Sequence, residues 1–259
     1  MLIPIVYTIG QAFKPLGELF QFPPTFIPRR PTFINFRILM LRVSDMSIPM
    51  WRFIINSILV SVLVVVSNMI VTVISAYVLS KKKFVMNNVL FKINQFALMF
   101  VSVAVTIPRY LVISQMGMIN TYWAHILPLM AIPVGLFLVK QFIDQLPDAL
   151  IEAAKIDGAG DFYIVWKIVI PLVKPALATV AILSFQTAWG ATESSNMFIT
   201  EESMRTLAYF FGSITTAESS VASAGIGAAA GLIMFLPNLI IFIIMQSNVM
   251  STMSHSGIK

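Results

Sequence analysis

Cysteine is absent from all 259 residues, which excludes disulfide scaffolds, zinc–thiolate sites and thiol catalysis. Histidine is almost as rare: His125 and His255 stand far apart, so no histidine metal site is expected. Charged residues make up only 11% of the chain, against about 25% in a soluble domain. No GxxxxGK[ST] loop is present to cradle a nucleotide phosphate. Neither HExxH nor GxSxG occurs, and no acid–base pair sits inside an apolar run, so an intramembrane enzyme lacks its chemistry. The start has neither a basic n-region nor a small-residue cleavage site, so no cleavable signal peptide is expected.

What is present is hydrophobic: 58% of residues, gathered in blocks long enough for a hydrocarbon core, which takes about 20 apolar residues. The alternating segments of about ten residues that a membrane β-barrel needs are missing. The expected fold is all-α, a polytopic transmembrane bundle. The net charge of +6 lies in the connecting loops, where Lys and Arg set topology and meet lipid headgroups, so no nucleic-acid partner is expected.

Residues 1–12 are apolar but too short to span, and read as the end of an incomplete first span. A proline-rich stretch, 13–51, reads as an ordered, extended outer connector. Further spans are expected at about 52–80, 90–113, 122–143, 168–190 and 228–249, giving about six in one transmembrane domain over 1–259. Lys81, Lys82, Lys83 and Lys92 mark one short loop, and Lys140, Lys155, Lys167 and Lys174 another, whereas 114–124 has no Lys or Arg. Both basic loops, and the tail with Lys259, are therefore expected in the cytoplasm. The 13–51 connector runs against this rule, carrying Lys14, Arg29, Arg30, Arg37 and Arg42 outside, but long loops obey it less strictly.

The segment IEAAKIDGAGDFYIVWKIVIPLVKP at 151–175 interrupts this apolar pattern with charges, glycines and prolines. Asp148 is placed to cap a short helix rich in Ala153 and Ala154. Gly158 is placed to end that helix in a left-handed conformation, and Asp161 to cap a second helix entering the membrane. The short helix has few bulky apolar residues, which suits a protein groove better than a lipid surface.

Glu152-Ala153-Ala154, Gly158 three residues on, then Ile168 and Ile170-Pro171 resemble the EAA signature, EAA-x3-G-x9-I-x-L-P, of ABC importer permeases. Ile170 departs from the usual leucine, and Asp157-Gly158-Ala159 is similar to the common DGA form. Lys14-Pro15, Glu18, Pro23-Pro24 and Asn35-Phe36 are similar to the first outer loop of the carbohydrate, maltose-transporter-type members. Asn56-Ser57, Pro108 through Leu111, Gly117, Asn120-Thr121 and Leu127-Pro128 carry the resemblance through the next spans.

The resemblance implies a permease subunit of an ATP-driven importer in the bacterial cell (inner) membrane. It implies a second, homologous permease, two ATP-binding subunits and an extracellular or periplasmic solute-binding protein that delivers a sugar. The loop at about 145–171 is then the coupling loop. Glu152 makes a polar contact to the ATPase, Gly158 shapes the turn, and Ala153, Ala154, Asp157, Ala159 and Pro171 complete the motif. No cofactor and no catalysis are expected of this chain itself.

Polar residues inside spans are costly in lipid and usually face an interior. Asn68, Asn94, Gln95, Ser102, Thr106, Gln186 and Thr187 are accordingly candidates for the pathway, and equally for hydrogen bonds between helices. Trp189 has two readings, a sugar-stacking ring or an interfacial belt residue, and His125 reads as interfacial. The outer loop at about 193–227 is expected to reach toward the binding protein, or simply to be solvated. Gly227 through Gly231 reads either as a small-xxx-small packing notch or as ordinary helix. A proton-coupled secondary transporter for a small polar solute is the alternative, although the span centres hold no Asp or Glu. A structural scaffold leaves the EAA spacing without a reason.

Overall fold

Residues 50–81 hold a long β-branched and aliphatic run with almost no charge, and they form one 32-residue helix, Met50–Lys81. At 1.5 Å per residue it is about 48 Å long, enough to cross a hydrocarbon core and enter both headgroup layers. Its polarity is inverted relative to a soluble helix. Asn56, Ser57, Ser61, Asn68 and Thr72 are buried, while Ile55, Leu63, Val66, Ile70 and Ile74 are exposed.

The computed structural model describes residues 3–44, 48–100, 102–217 and 221–256, and every regular element among them is helical. Two helices are long and apolar enough to cross a membrane, Met50–Lys81 and Ser223–Ser247. Two bent pairs raise the number to four if each is one broken span: Trp123–Leu129 with Pro133–Asp144, at 46°, and Asp161–Leu172 with Lys174–Met197, at 85°.

The bends follow the prolines. The run expected as one span at 90–113 is instead Asn87–Ala97, a single tight turn at Ser102–Val105, and Thr106–Gln115. Pro108 has no N–H for the Ala104 carbonyl, so a helix can resume only where Pro108 falls in its first turn. The expected span 122–143 breaks likewise before Pro133. In the expected span 168–190, Pro171 and Pro175 each delete an i→i−4 bond, and the chain turns sharply at Val173. Just upstream, Ile164–Val169 widens into a π-helix, with the Ile170 N–H donating to the Val165 carbonyl.

The two stretches expected as outer loops are more helical than that reading implies. The 13–51 connector contains Leu16–Leu19 and Ile34–Ser44. The 193–227 loop contains Glu193–Met197 and Leu207–Ala217, and the last helix begins at Val221. Within that helix Gly231 has open space where a Cβ would stand, so no described neighbour uses it as a notch. Gly225 is the crowded position, against Asn35 and Leu19.

The chain gathers into two compact units. The first comprises Met1–Val60, Ile119–Tyr122 and Trp189–Ile240, and side-chain amides and a carboxylate tie its irregular backbone. Glu18 accepts the N–H groups of Arg29 and Arg30 at 2.9 and 3.0 Å, and Asn35 donates to the Ala12 and Lys14 carbonyls at 2.9 and 2.8 Å. Asn56 donates to the Ser203 and Arg205 carbonyls at 2.8 and 3.0 Å and accepts the Tyr122 hydroxyl at 2.9 Å. Asn120, at φ +59°, accepts N–H bonds from Thr200 and Glu201. Trp189 is buried with its Nε1 donating to the Met234 carbonyl at 3.1 Å, so it is neither a belt residue nor a free stacking ring. The second unit, Ser61–Met118, Trp123–Ala188 and Ile241–Lys259, carries the EAA segment. His125 is buried there rather than interfacial.

Candidate functional site

Pro147 leads into a nine-residue helix, Asp148–Ile156. Ile151 and Ala154 form its inner face, in one core with Val73, Ala76, Tyr77 and Ile164. Glu152, Ala153, Lys155 and Ile156 lie on the other face and are exposed, Ile156 at 86%. An exposed isoleucine beside an alanine and a glutamate suits a protein groove, not water.

The helix ends as the glycine requires. Gly158 sits at φ +82°, its N–H donates to the Lys155 carbonyl at 3.0 Å, and the Ala159 N–H reaches back to Ala154 at 2.9 Å. These two bonds make a Schellman closure, which satisfies carbonyls the helix end would otherwise orphan. Beyond the turn, Ala154, Asp157, Gly158, Ala159, Tyr163 and Ile168 line an open groove of about 470 Å³.

The two aspartates do not cap. Neither the Asp148–Ile156 helix nor the one starting at Asp161 has a side-chain cap bond. Asp148 is instead the first helical residue, and its Oδ1 accepts Lys81 Nζ at 2.7 Å. Asp161 accepts Lys82 Nζ on Oδ2 at 2.6 Å and the Tyr77 hydroxyl on Oδ1 at 3.0 Å. Pro147 and Gly160 hold the N-cap positions, so each aspartate stands one residue inside its helix and its carboxylate turns to a lysine ammonium instead of the helix's own amides. Lys81 also donates to the Leu146 carbonyl at 2.6 Å, with its side chain only 7% exposed. In the sequence, Lys81 and Lys82 read only as topology markers. Their pairing with carboxylates at 148 and 161 needs the folded chain.

The Lys81 hydrogen bond, and then its charge, hold the Asp148 carboxyl below the usual carboxylate range. A depressed carboxylate stabilises the fold above its unfolded pKa, and this contribution is lost as pH falls through the folded value. The Lys81–Asp148 contact is therefore expected to be unchanged from pH 8 down to about 5, and to open only in stronger acid. Limited proteolysis of the 145–160 segment across that range checks this. Cleavage that rises between pH 8 and 6 contradicts it.

Comparison with known proteins supplies the class of machine. The family described as binding-protein-dependent transport system inner membrane component matches residues 70–249. The chain belongs to this family.

As a permease of binding-protein-dependent ABC import, it works with another permease, an ATPase and a binding protein, and is a transport subunit rather than an enzyme. It is 28% identical over 247 residues to the sn-glycerol-3-phosphate transport system permease protein UgpE of Yersinia pestis bv. Antiqua (strain Antiqua), covering 95% of this chain and 88% of that one. It is 30% identical over 266 residues to the galactooligosaccharides transport system permease protein GanQ of Bacillus subtilis (strain 168), covering 99% and 89%. Its fold matches the crystal structure of a bacterial ABC transporter involved in the import of the acidic polysaccharide alginate. The TM-score is 0.78 at 23% identity, over 95% of this chain and 90% of that one.

The permease's polar span residues divide by surroundings. Asn68 is fully buried, and its Nδ2 donates to the Met130 carbonyl at 3.2 Å and the Leu129 carbonyl at 3.5 Å. Asn94 is half-buried and donates to the Pro133 carbonyl at 3.1 Å. Thr106 is half-buried as well. Gln95, Gln186 and Thr187 are exposed, and the Thr187 hydroxyl donates to the Leu183 carbonyl at 2.8 Å. The Ser102 side chain, like Lys259, lies outside the described residues.

Proposed function

We propose that this chain is one of two permease subunits enclosing a carbohydrate pathway, driven by two ATP-binding subunits, one of which docks on Asp148–Ile156. The observation that carries the reading is that helix itself. It is closed by a left-handed glycine, buried on its Ile151 side and bare on its Glu152, Ala153 and Ile156 side. ATP closure of the ATPase pair moves the docked helices, and the spans shift from inward-facing to outward-facing. About six spans in one domain, with the C-terminus in the cytoplasm, fit the apolar and basic pattern.

The pathway reading rests on a contrast between two helices. Met50–Lys81 exposes aliphatic side chains, which suit lipid or a partner subunit. In the second half of Lys174–Trp189 the exposed residues are Gln186 and Thr187, flanked by buried Ile182, Ser184, Phe185 and Ala188. Polar side chains open to the outside of a membrane helix are stable where water or solute meets them. With Gln95 and Thr106 they form the proposed lining, while Asn68 and Asn94 hold its frame.

A sugar or oligosaccharide substrate is supported by the relative named for galactooligosaccharides. Uptake of a panel of labelled saccharides, with the cognate binding protein, identifies the substrate. Affinity purification from the native host is expected to recover a second permease and an ATPase, and Glu152→Lys to lose the ATPase alone. Transport by the purified chain without either partner overturns the reading.

A further inference from the structure

The start of the exposed helix and the segment that follows its turn are both fastened to the same end of a single span. Tyr77 and Lys81 stand at i and i+4 in the last turns of Met50–Lys81, and Lys82 is the residue that follows it. Lys81 holds Asp148, where the short helix begins. Lys82 and Tyr77 together hold Asp161, three residues beyond the Gly158 turn. The same span residue, Tyr77, also packs in the core that buries Ile151 and Ala154.

An ion pair in water contributes little to stability, and Asp148 by itself is such a case, with its side chain 78% exposed. Lys82 and Asp161 are open to water too, at 36% and 51%, and Lys81 is the member that differs. The Lys81 ammonium is nearly enclosed and bonds two acceptors, so pulling the loop away strands a charge inside the protein. Asp161 uses both carboxylate oxygens, which fixes its orientation as well as its distance. A loop that only needed to be soluble has no use for anchors on both sides of a helix, converging on the end of one span.

We infer that Tyr77, Lys81 and Lys82 are positioning residues that lock Asp148–Ile156 to Met50–Lys81, so that force on the docked helix moves the span instead of bending the loop. The inference rests on the coupling reading above and adds the route by which motion leaves the loop. Lys81 and Lys82, which alone read as a topology signal, acquire a mechanical role. The clamp stays closed through the transport cycle, and the short helix and its span travel as one body.

The chain lacks cysteine, so a label pair enters it without background once its partner subunits are labelled separately or made cysteine-free. Spin labels at Ala149, beside the short helix start, and Leu63, higher on the span, read the link in the complete complex with its partner subunits. The distance is expected to be the same without nucleotide and with ATP and vanadate. Lys81→Met combined with Lys82→Met is expected to broaden it and make it differ between the two states. Lys82→Arg should restore the native trace, as should the swapped pair Lys82→Asp with Asp161→Lys, which a merely structural loss of packing does not predict. A native distance that shifts with nucleotide overturns the inference, as does a double variant indistinguishable from the native chain. Failure of the native chain to assemble with any ATPase instead overturns the coupling reading, which separates the two outcomes.

Discussion

Gly158→Pro is expected to reduce saccharide uptake to background while the partner ATPase still binds nucleotide. Gly158 holds φ at +82°, and proline is fixed near −65°. Proline also deletes the N–H that closes the helix on Lys155. No heavy atom lies within 4 Å of a Cβ built at this position, so the cost of substitution is backbone strain and not crowding. That separates the reasons for a graded series. Gly158→Ala should lose part of its coupling, at a strain of about 1–2 kcal/mol, and Gly158→Asn less, because asparagine tolerates the left-handed region. A branched residue such as valine should fall between alanine and proline. Transport assays with nucleotide binding measured in parallel check the order. Normal uptake by Gly158→Pro removes the turn from the transmission path.

Asn68→Leu is expected to cause the largest loss of stability of any single polar change in the spans. Pro133 cannot donate an N–H, so the Leu129 carbonyl four residues earlier is left over, and the bend before Pro133 frees Met130 as well. Asn68, on a different helix, supplies Nδ2 to both. Inside a membrane no water replaces it, and each stranded group costs about 1–3 kcal/mol. Pro133→Ala in the Asn68→Leu background should recover part of the loss, because residue 133 regains an N–H for Leu129 while Met130 stays unpaired. Thermal unfolding in detergent of the two single variants and the double variant measures this. Equal stability of Asn68→Leu and the native chain shows that the contact contributes nothing.

The pathway candidates show where a sequence stops informing. Asn68, Asn94, Gln95, Gln186 and Thr187 look alike in an apolar run. Only neighbouring backbone distinguishes a residue that completes a broken helix from one that faces outward. The partner of Asn68 lies 61 residues along the chain, and its need arises from a proline. The sequence contained both facts but no sign that they meet. The aspartates teach the same lesson. Asp148 and Asp161 sit where helix caps belong, so local rules assign them to amides. A tertiary neighbour with a full positive charge takes them instead.

Composition alone determined the membrane, because 58% hydrophobic residues in long blocks cannot be covered by 11% charged ones. Local pattern alone marked the short helix Asp148–Ile156 and its glycine, since a left-handed closure is a local requirement that few residues meet. Tertiary structure decided what the helix is fastened to and where the spans break. It also decided which polar side chains are already paired. Those outcomes depend on groups far apart in sequence, where a hydrogen bond or ion pair forms only after packing has brought donor and acceptor within about 3 Å.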